Sequence, residues 1–77
     1  MPVKIFPNPA AENICVDSPE QKVSVSLYSS SGQLVFNETA YKYSHQIKLL
    51  HLPAGIYLIE ARNNAKLAFR EKVIVKH

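Results

Sequence analysis

The side chains able to carry chemistry here are one cysteine, three histidines, six carboxylates and a run of serines. Their spacing matches no familiar catalytic or metal-binding set. Cys15 has no partner for an internal disulfide. Flanked by Ile14 and Val16, it reads as a small buried hydrophobe. A nucleophilic thiol needs a positioned base, and no histidine is near it in sequence; the lack of a disulfide assigns no compartment. His45, His51 and His77 show no metal-ligand spacing. Ser29, Ser30 and Ser31 precede Gly32 in a stretch with hairpin-turn composition, whereas a nucleophilic serine needs a base and an oxyanion hole on a rigid frame. Glu12, Asp17, Glu20, Glu38, Glu60 and Glu71 form no paired motif. Gly32 and Gly55 are the only glycines, too few for a phosphate-cradling loop. Tyr41-Lys42-Tyr43 has the character of a base-stacking segment, but a connecting loop or edge strand accounts for it more simply. Asn37-Glu38-Thr39 matches a glycosylation sequon, a weak three-residue signal. The expectation is a protein that is not an enzyme and has no catalytic residue, cofactor or metal.

The elements that position these residues are strands. Lys22 to Tyr28 alternates, with Val23, Val25 and Leu27 on one face and Ser24 and Ser26 on the other, as an extended half-buried backbone requires. Ile47 and Leu49 repeat the pattern, and no window carries a helical stripe. Turn residues recur at Pro7-Asn8-Pro9, Ser18-Pro19, Ser29 to Gly32, Pro53-Ala54-Gly55 and Asn63-Asn64. Seven strands are predicted: Val3 to Phe6, Asn13 to Asp17, Lys22 to Tyr28, Gln33 to Asn37, His45 to Leu49, Ile56 to Arg62 and Leu67 to Lys76. The fold class that follows is all-β, an immunoglobulin-like Greek-key β-sandwich of about seven antiparallel strands. Leu52 to Tyr57 resembles a tyrosine corner, in which the Tyr57 hydroxyl bonds back to upstream backbone and Gly55 supplies conformational freedom.

In the last segment Leu67, Phe69, Val73 and Val75 share one parity, and Lys66, Arg70, Lys72 and Lys76 share the other. One face is expected to pack inward while the other forms a cationic ribbon. Glu71 interrupts the apolar side, so a bulge or sheet switch is expected there. Cations on an edge strand also guard it against unwanted pairing.

Length and composition narrow the function classes. Seventy-seven residues make one domain, read as 1–77, with a small core and little room for a water-excluding cleft. At 47% hydrophobic and 19% charged the chain is globular in composition. A net charge of +3 is mild, and no dense basic stripe precedes the last dozen residues, which argues against nucleic acid as a partner. No apolar run approaches the ~18 residues of a membrane span, so no membrane insertion is expected. The first residues lack the charged and apolar regions of a signal peptide; any export signal is expected on another part of the gene product.

Val3 to Ala10 followed by Asn13 to Val16 resembles the opening of the C-terminal sorting domains of the type IX (Por) secretion system. Val25 to Tyr28 followed by Ser31 to Val35 looks like that family's central hairpin. Ile47 to Leu49, Leu52 to Ile59 and the closing Lys72 to Lys76 complete the order, so the resemblance spans nearly the whole chain. Two departures are visible: three serines stand where the hairpin usually has an acidic or amide residue near Ser29, and Cys15 replaces a more usual residue. Neither falls on a landmark.

The resemblance implies a non-catalytic signal domain at the tail of a larger secreted protein of a Gram-negative bacterium. It implies passage through the periplasm to the cell surface or extracellular space by way of the outer-membrane translocon and its shuttle components. It also implies removal by a cell-surface sortase-like peptidase cutting before Val3. The family landmarks in this sequence are Pro7, Asn8, Pro9, Gly32, Leu52, Gly55 and Tyr57, and translocon recognition is expected at Lys72, Val73, Val75 and Lys76. A second reading, from another class, is a stand-alone carbohydrate- or protein-binding adhesion module whose exposed Tyr28, Tyr41 and Tyr43 stack on sugar rings.

Overall fold

The computed structural model describes residues 3–7, 12–64 and 66–76. It is all-β, with strands β1 (Lys4–Phe6), β2 (Asn13–Asp17), β3 (Val23–Ser29), β4 (Leu34–Lys42), β5 (Ser44–Lys48), β6 (Gly55–Asn63) and β7 (Lys66–Val75). They form two antiparallel sheets, one of order β1-β2-β5 and one of order β4-β3-β6-β7. The chain changes sheet between β2 and β3, between β4 and β5, and between β5 and β6.

Period-two alternation decides which side chains meet between the sheets. Ile14 and Val16 from β2, Val23, Val25 and Leu27 from β3, Ile47 from β5, Tyr57, Ile59 and Ala61 from β6, and Val73 and Val75 from β7 are all buried in one cluster. Leu49 and Leu52 join them from the segment between β5 and β6. Each large apolar side chain withdrawn from water in this way contributes roughly 1.5–3 kcal/mol. That burial offsets the ordering cost of so short a chain.

The same alternation corrects the reading of Cys15. Ile14 and Val16 take the inward positions of β2, which turns Cys15 to the opposite face, where it is half-buried and opposite Phe6 and Gln46.

Further differences arise in β7 and β4. Glu71 pairs regularly with Ile59, so the expected bulge is not at Glu71. The slip lies between the pairs Ala61↔Phe69 and Arg62↔Leu67, leaving Ala68 as the extra residue. One extra residue inverts parity on one side of a bulge. Leu67, expected to pack inward, therefore stands opposite Arg62 and is 45% exposed. A second slip between Leu27↔Phe36 and Tyr28↔Leu34 lets the sequence neighbours Val35 and Phe36 both pack against the core. Finally, β4 runs five residues past its predicted end at Asn37 and takes in Tyr41 and Lys42. It is an edge strand with mostly exposed side chains, and such a strand carries no clear alternation to read.

Candidate functional site

Four of the landmark residues, Gly32, Leu52, Gly55 and Tyr57, lie apart in sequence and converge at one end of the four-stranded sheet. Between β3 and β4 the turn is closed by backbone bonds: Ser29 N–H donates to the Gln33 carbonyl at 2.8 Å, and Gly32 N–H donates to the Ser29 carbonyl at 2.9 Å. Gly32 adopts φ +90°, a conformation that glycine enters without the Cβ penalty. The serines act within the turn. Ser29 Oγ accepts from Gln33 N–H at 3.3 Å and lies 2.9 Å from Ser31 Oγ.

Across the sheet, Ser29 pairs with Tyr57. The Tyr57 hydroxyl donates to the Pro53 carbonyl at 2.6 Å, the back-bond of a tyrosine corner, while the ring is buried in the core. Leu52 is buried beneath the same corner, and its N–H donates to the Leu49 carbonyl at 2.9 Å. Gly55 begins β6 at φ +157° with open space where a Cβ would stand. It pairs with Val75, and Tyr57 pairs with Val73, which brings the end of β7 to the same place. At the amino-terminal landmark, Pro7 is exposed after a cis peptide bond; Asn8 and Pro9 lie outside the described residues.

The outer face of this sheet is divided along the strand direction. Leu34, Tyr28, Leu58 and Lys72 form one cross-strand row, and Ile56 and Ile74 pair in the next row toward the corner. Leu34, Ile56 and Ile74 are 49%, 50% and 41% exposed. Ile56 and the hairpin turn border a groove of about 520 Å³, whose lining includes Tyr28, Ser30, Gly32, Leu58 and Lys72. The following row, Asn37, Ser26, Glu60 and Arg70, is polar. There the Ser26 hydroxyl donates to the Asn37 side-chain carbonyl. Glu60, 5% exposed although it points away from the core, accepts from Arg62 at 3.1 Å and from Arg70 at 2.9 Å. The two guanidiniums make this burial tolerable.

The four residues expected to meet the translocon divide into two pairs. Lys72 and Lys76 are exposed, whereas the Val73 and Val75 side chains are in the core. A partner can reach the two valines only through their backbone. Among the described residues, β7 has β6 on one side and no strand on the other. The cationic ribbon is interrupted by Ile74 and partly engaged by Glu60.

Other sequence candidates are dispersed. Tyr28 pairs with Leu34 at the turn end of the β3–β4 ladder, while Tyr41 and Tyr43 flank Lys42 at its other end, where Lys42 pairs with Val23. The intervening strand length is roughly 16 Å at ~3.3 Å per residue, so the three rings form no common platform. Tyr43 instead has the Lys22 ammonium over its ring, 5.6 Å from the centroid. His45 is buried and bonded through Nε2 to the Val23 carbonyl. Among the described residues, no three His, Cys, Asp or Glu side chains could together hold a metal ion. No described helix is long and apolar enough to cross a membrane. The signal that sequence reasoning missed is Glu60. It appeared as an unpaired carboxylate because its partner Arg70 is ten residues away and arrives by strand pairing.

No curated protein matches the sequence. The model of one protein family, described as the secretion system C-terminal sorting domain, matches residues 4–76. The chain belongs to that family, the C-terminal sorting signals of type IX secretion.

Proposed function

We propose that residues 1–77 act as one folded, non-catalytic signal domain at the tail of an exported passenger, and that the outer-membrane translocon reads its folded surface. Family membership supports export by type IX secretion. The observation that carries the finer reading is the convergence of Gly32, Gly55, Tyr57 and the end of β7 at one end of one sheet. An unfolded tail would not bring these landmarks together. In this reading Pro53, Gly55 and Tyr57 build the corner, Val73 and Val75 anchor the last strand, and Lys72 and Lys76 face the translocon and its shuttle components. The passenger moves through the periplasm to the cell surface or medium. A sortase-like peptidase then removes the domain by cutting before Val3.

The test is a fusion of residues 1–77 to the carboxyl end of an inert periplasmic reporter, expressed in a bacterium that has this secretion system. The expected result is reporter at the cell surface or in the medium, dependent on the fusion. Reporter that stays periplasmic with and without the domain overturns the proposal.

A further inference from the structure

The groove beside the β3–β4 hairpin has an apolar floor and a polar border. Tyr28 and Leu58 are cross-strand partners on the outer face of the four-stranded sheet, and Ile56 shares that face two residues before Leu58. All three line the groove, and Ile56 is 50% exposed. At the border stand Ser30 of the hairpin turn and Glu60 of the polar row. Glu60 already accepts from Arg62 and Arg70, which leaves it little capacity for a ligand. Ser29 and Ser31 are bonded within the turn, whereas Ser30 is exposed and its hydroxyl has no partner among the described residues.

From this we infer that the groove receives one aromatic side chain from an extended segment of a partner protein. The inference rests on the sorting role proposed above and specifies what the partner inserts. The size of the apolar patch selects the occupant. Ile56, with Leu34 beside it, leaves roughly 200 Å² of apolar surface in solvent, against ~800 Å² per partner in a stable complex of standard size. That is too little for a second copy of this sheet face. A single aromatic side chain buries ~150–250 Å², which matches the patch. Contact with the Tyr28 ring adds to the area term, since aromatic pairs favour offset or edge-on arrangements. The Ser30 hydroxyl is the acceptor open to a Trp N–H or a Tyr O–H at the border. A sugar ring also stacks on an aromatic face, but its several hydroxyls need more hydrogen-bond partners than this border offers. An apolar anchor ringed by polar groups is the arrangement in which a few side chains carry most of an interface's affinity.

Two short synthetic peptides test this against the 77-residue chain. Both alternate Ser with Thr around one central residue, which is Trp in the first and Ala in the second. Binding is followed through backbone amide resonances. The Trp peptide is expected to perturb Tyr28, Ser30, Ile56 and Leu58 with a Kd on the order of 1 mM, and the Ala peptide to leave them unchanged. Ile56→Lys, at an exposed position, should keep the fold and weaken binding about ten-fold. Tyr41→Lys, an equivalent change at the other end of the sheet, should bind as the parent does. Equal binding of the two peptides, perturbation centred away from the groove, or equal weakening by the two variants overturns the inference. Maltose perturbing the same amides as strongly as the Trp peptide at equal concentration also overturns it, and so does dimerisation through those residues without peptide. If the reporter fusion is exported while the Trp peptide leaves the groove unperturbed, this inference fails and the sorting role stands. If the peptide binds in the groove but the fusion is not exported, the sorting role fails alone.

Discussion

The two ends of the sandwich are held by different kinds of interaction. At the end where β3 begins, the contacts are polar. His45 reaches from β5 to the Val23 carbonyl, and Asn63 donates to the Gln21 side chain at 2.8 Å and to the Lys22 carbonyl at 3.2 Å. Ser18, only 2% exposed, bonds through its hydroxyl to the Gln21 carbonyl at 2.6 Å and through its N–H to the Tyr43 carbonyl at 2.7 Å. At the opposite end the chain turns on Gly32 and Gly55, one tyrosine hydroxyl closes the corner, and apolar side chains remain exposed beside β7. The first end ties its strands together through these polar bonds, although Tyr41, Tyr43 and Leu67 are exposed there as well. The second leaves apolar surface and positive charge facing solvent. In a small domain these tasks separate naturally, because a core this size cannot support a cleft within it.

Variants at the two ends should behave differently, and the largest effect is expected at the polar one. His45→Ala removes a buried ring and leaves the Val23 carbonyl without its donor. It should destabilise the fold by about 2–4 kcal/mol. The accompanying loss in melting temperature is about 4–8 °C per kcal/mol for a domain of this length. Wherever the variant remains folded, reporter export should be unchanged, since the site lies away from the corner end.

Gly55→Val comes next. Open space at the Cβ position excludes a clash, so the cost comes from backbone strain at φ +157°. A loss of about 1–3 kcal/mol is expected, and Gly55→Ala, which adds little bulk, should show most of it. Denaturant titration of the two variants side by side checks this. A much smaller loss for alanine would move the cause from backbone to side chain.

Tyr57→Phe keeps the buried ring and deletes the bond to Pro53. It should cost about 1–2 kcal/mol, and it should reduce export of the reporter only in proportion to the unfolded fraction. A loss of export at full stability would show that the hydroxyl or the corner contacts the translocon directly.

The smallest structural effect is expected from Lys72→Glu with Lys76→Glu, within about 0.5 kcal/mol because both positions are exposed. Here function and stability should part: thermal unfolding should be nearly unchanged and export of the reporter should fall sharply. Unchanged export would reduce the ribbon to an edge guard and remove the functional contrast between the two ends.

Which parts could be read without coordinates follows from the range of the interactions. Inward positions at Val23, Val25 and Leu27 were legible from alternation alone, since an extended backbone sends neighbours to opposite sides. The corner at Leu52 to Tyr57 was legible because its hydrogen bond spans four residues. Cys15 was misplaced because apolar neighbours were given more weight than parity. The length of β4 was hidden because an exposed edge strand has no buried face to mark its extent.

Strand type, turn positions and the inward face of most strands were settled by local chemistry along the chain, through the two-residue repeat of an extended backbone and the turn preferences of Gly, Pro and Ser. Only the tertiary structure decided the registers. It put the odd residue of β7 at Ala68 rather than at Glu71, turned Leu67 outward, brought Arg70 to Glu60, and set Gly32, Gly55 and Val75 at one end of one sheet. Pairing between strands tens of residues apart depends on the packing of the whole core, and a one-residue slip reverses every side chain beyond it.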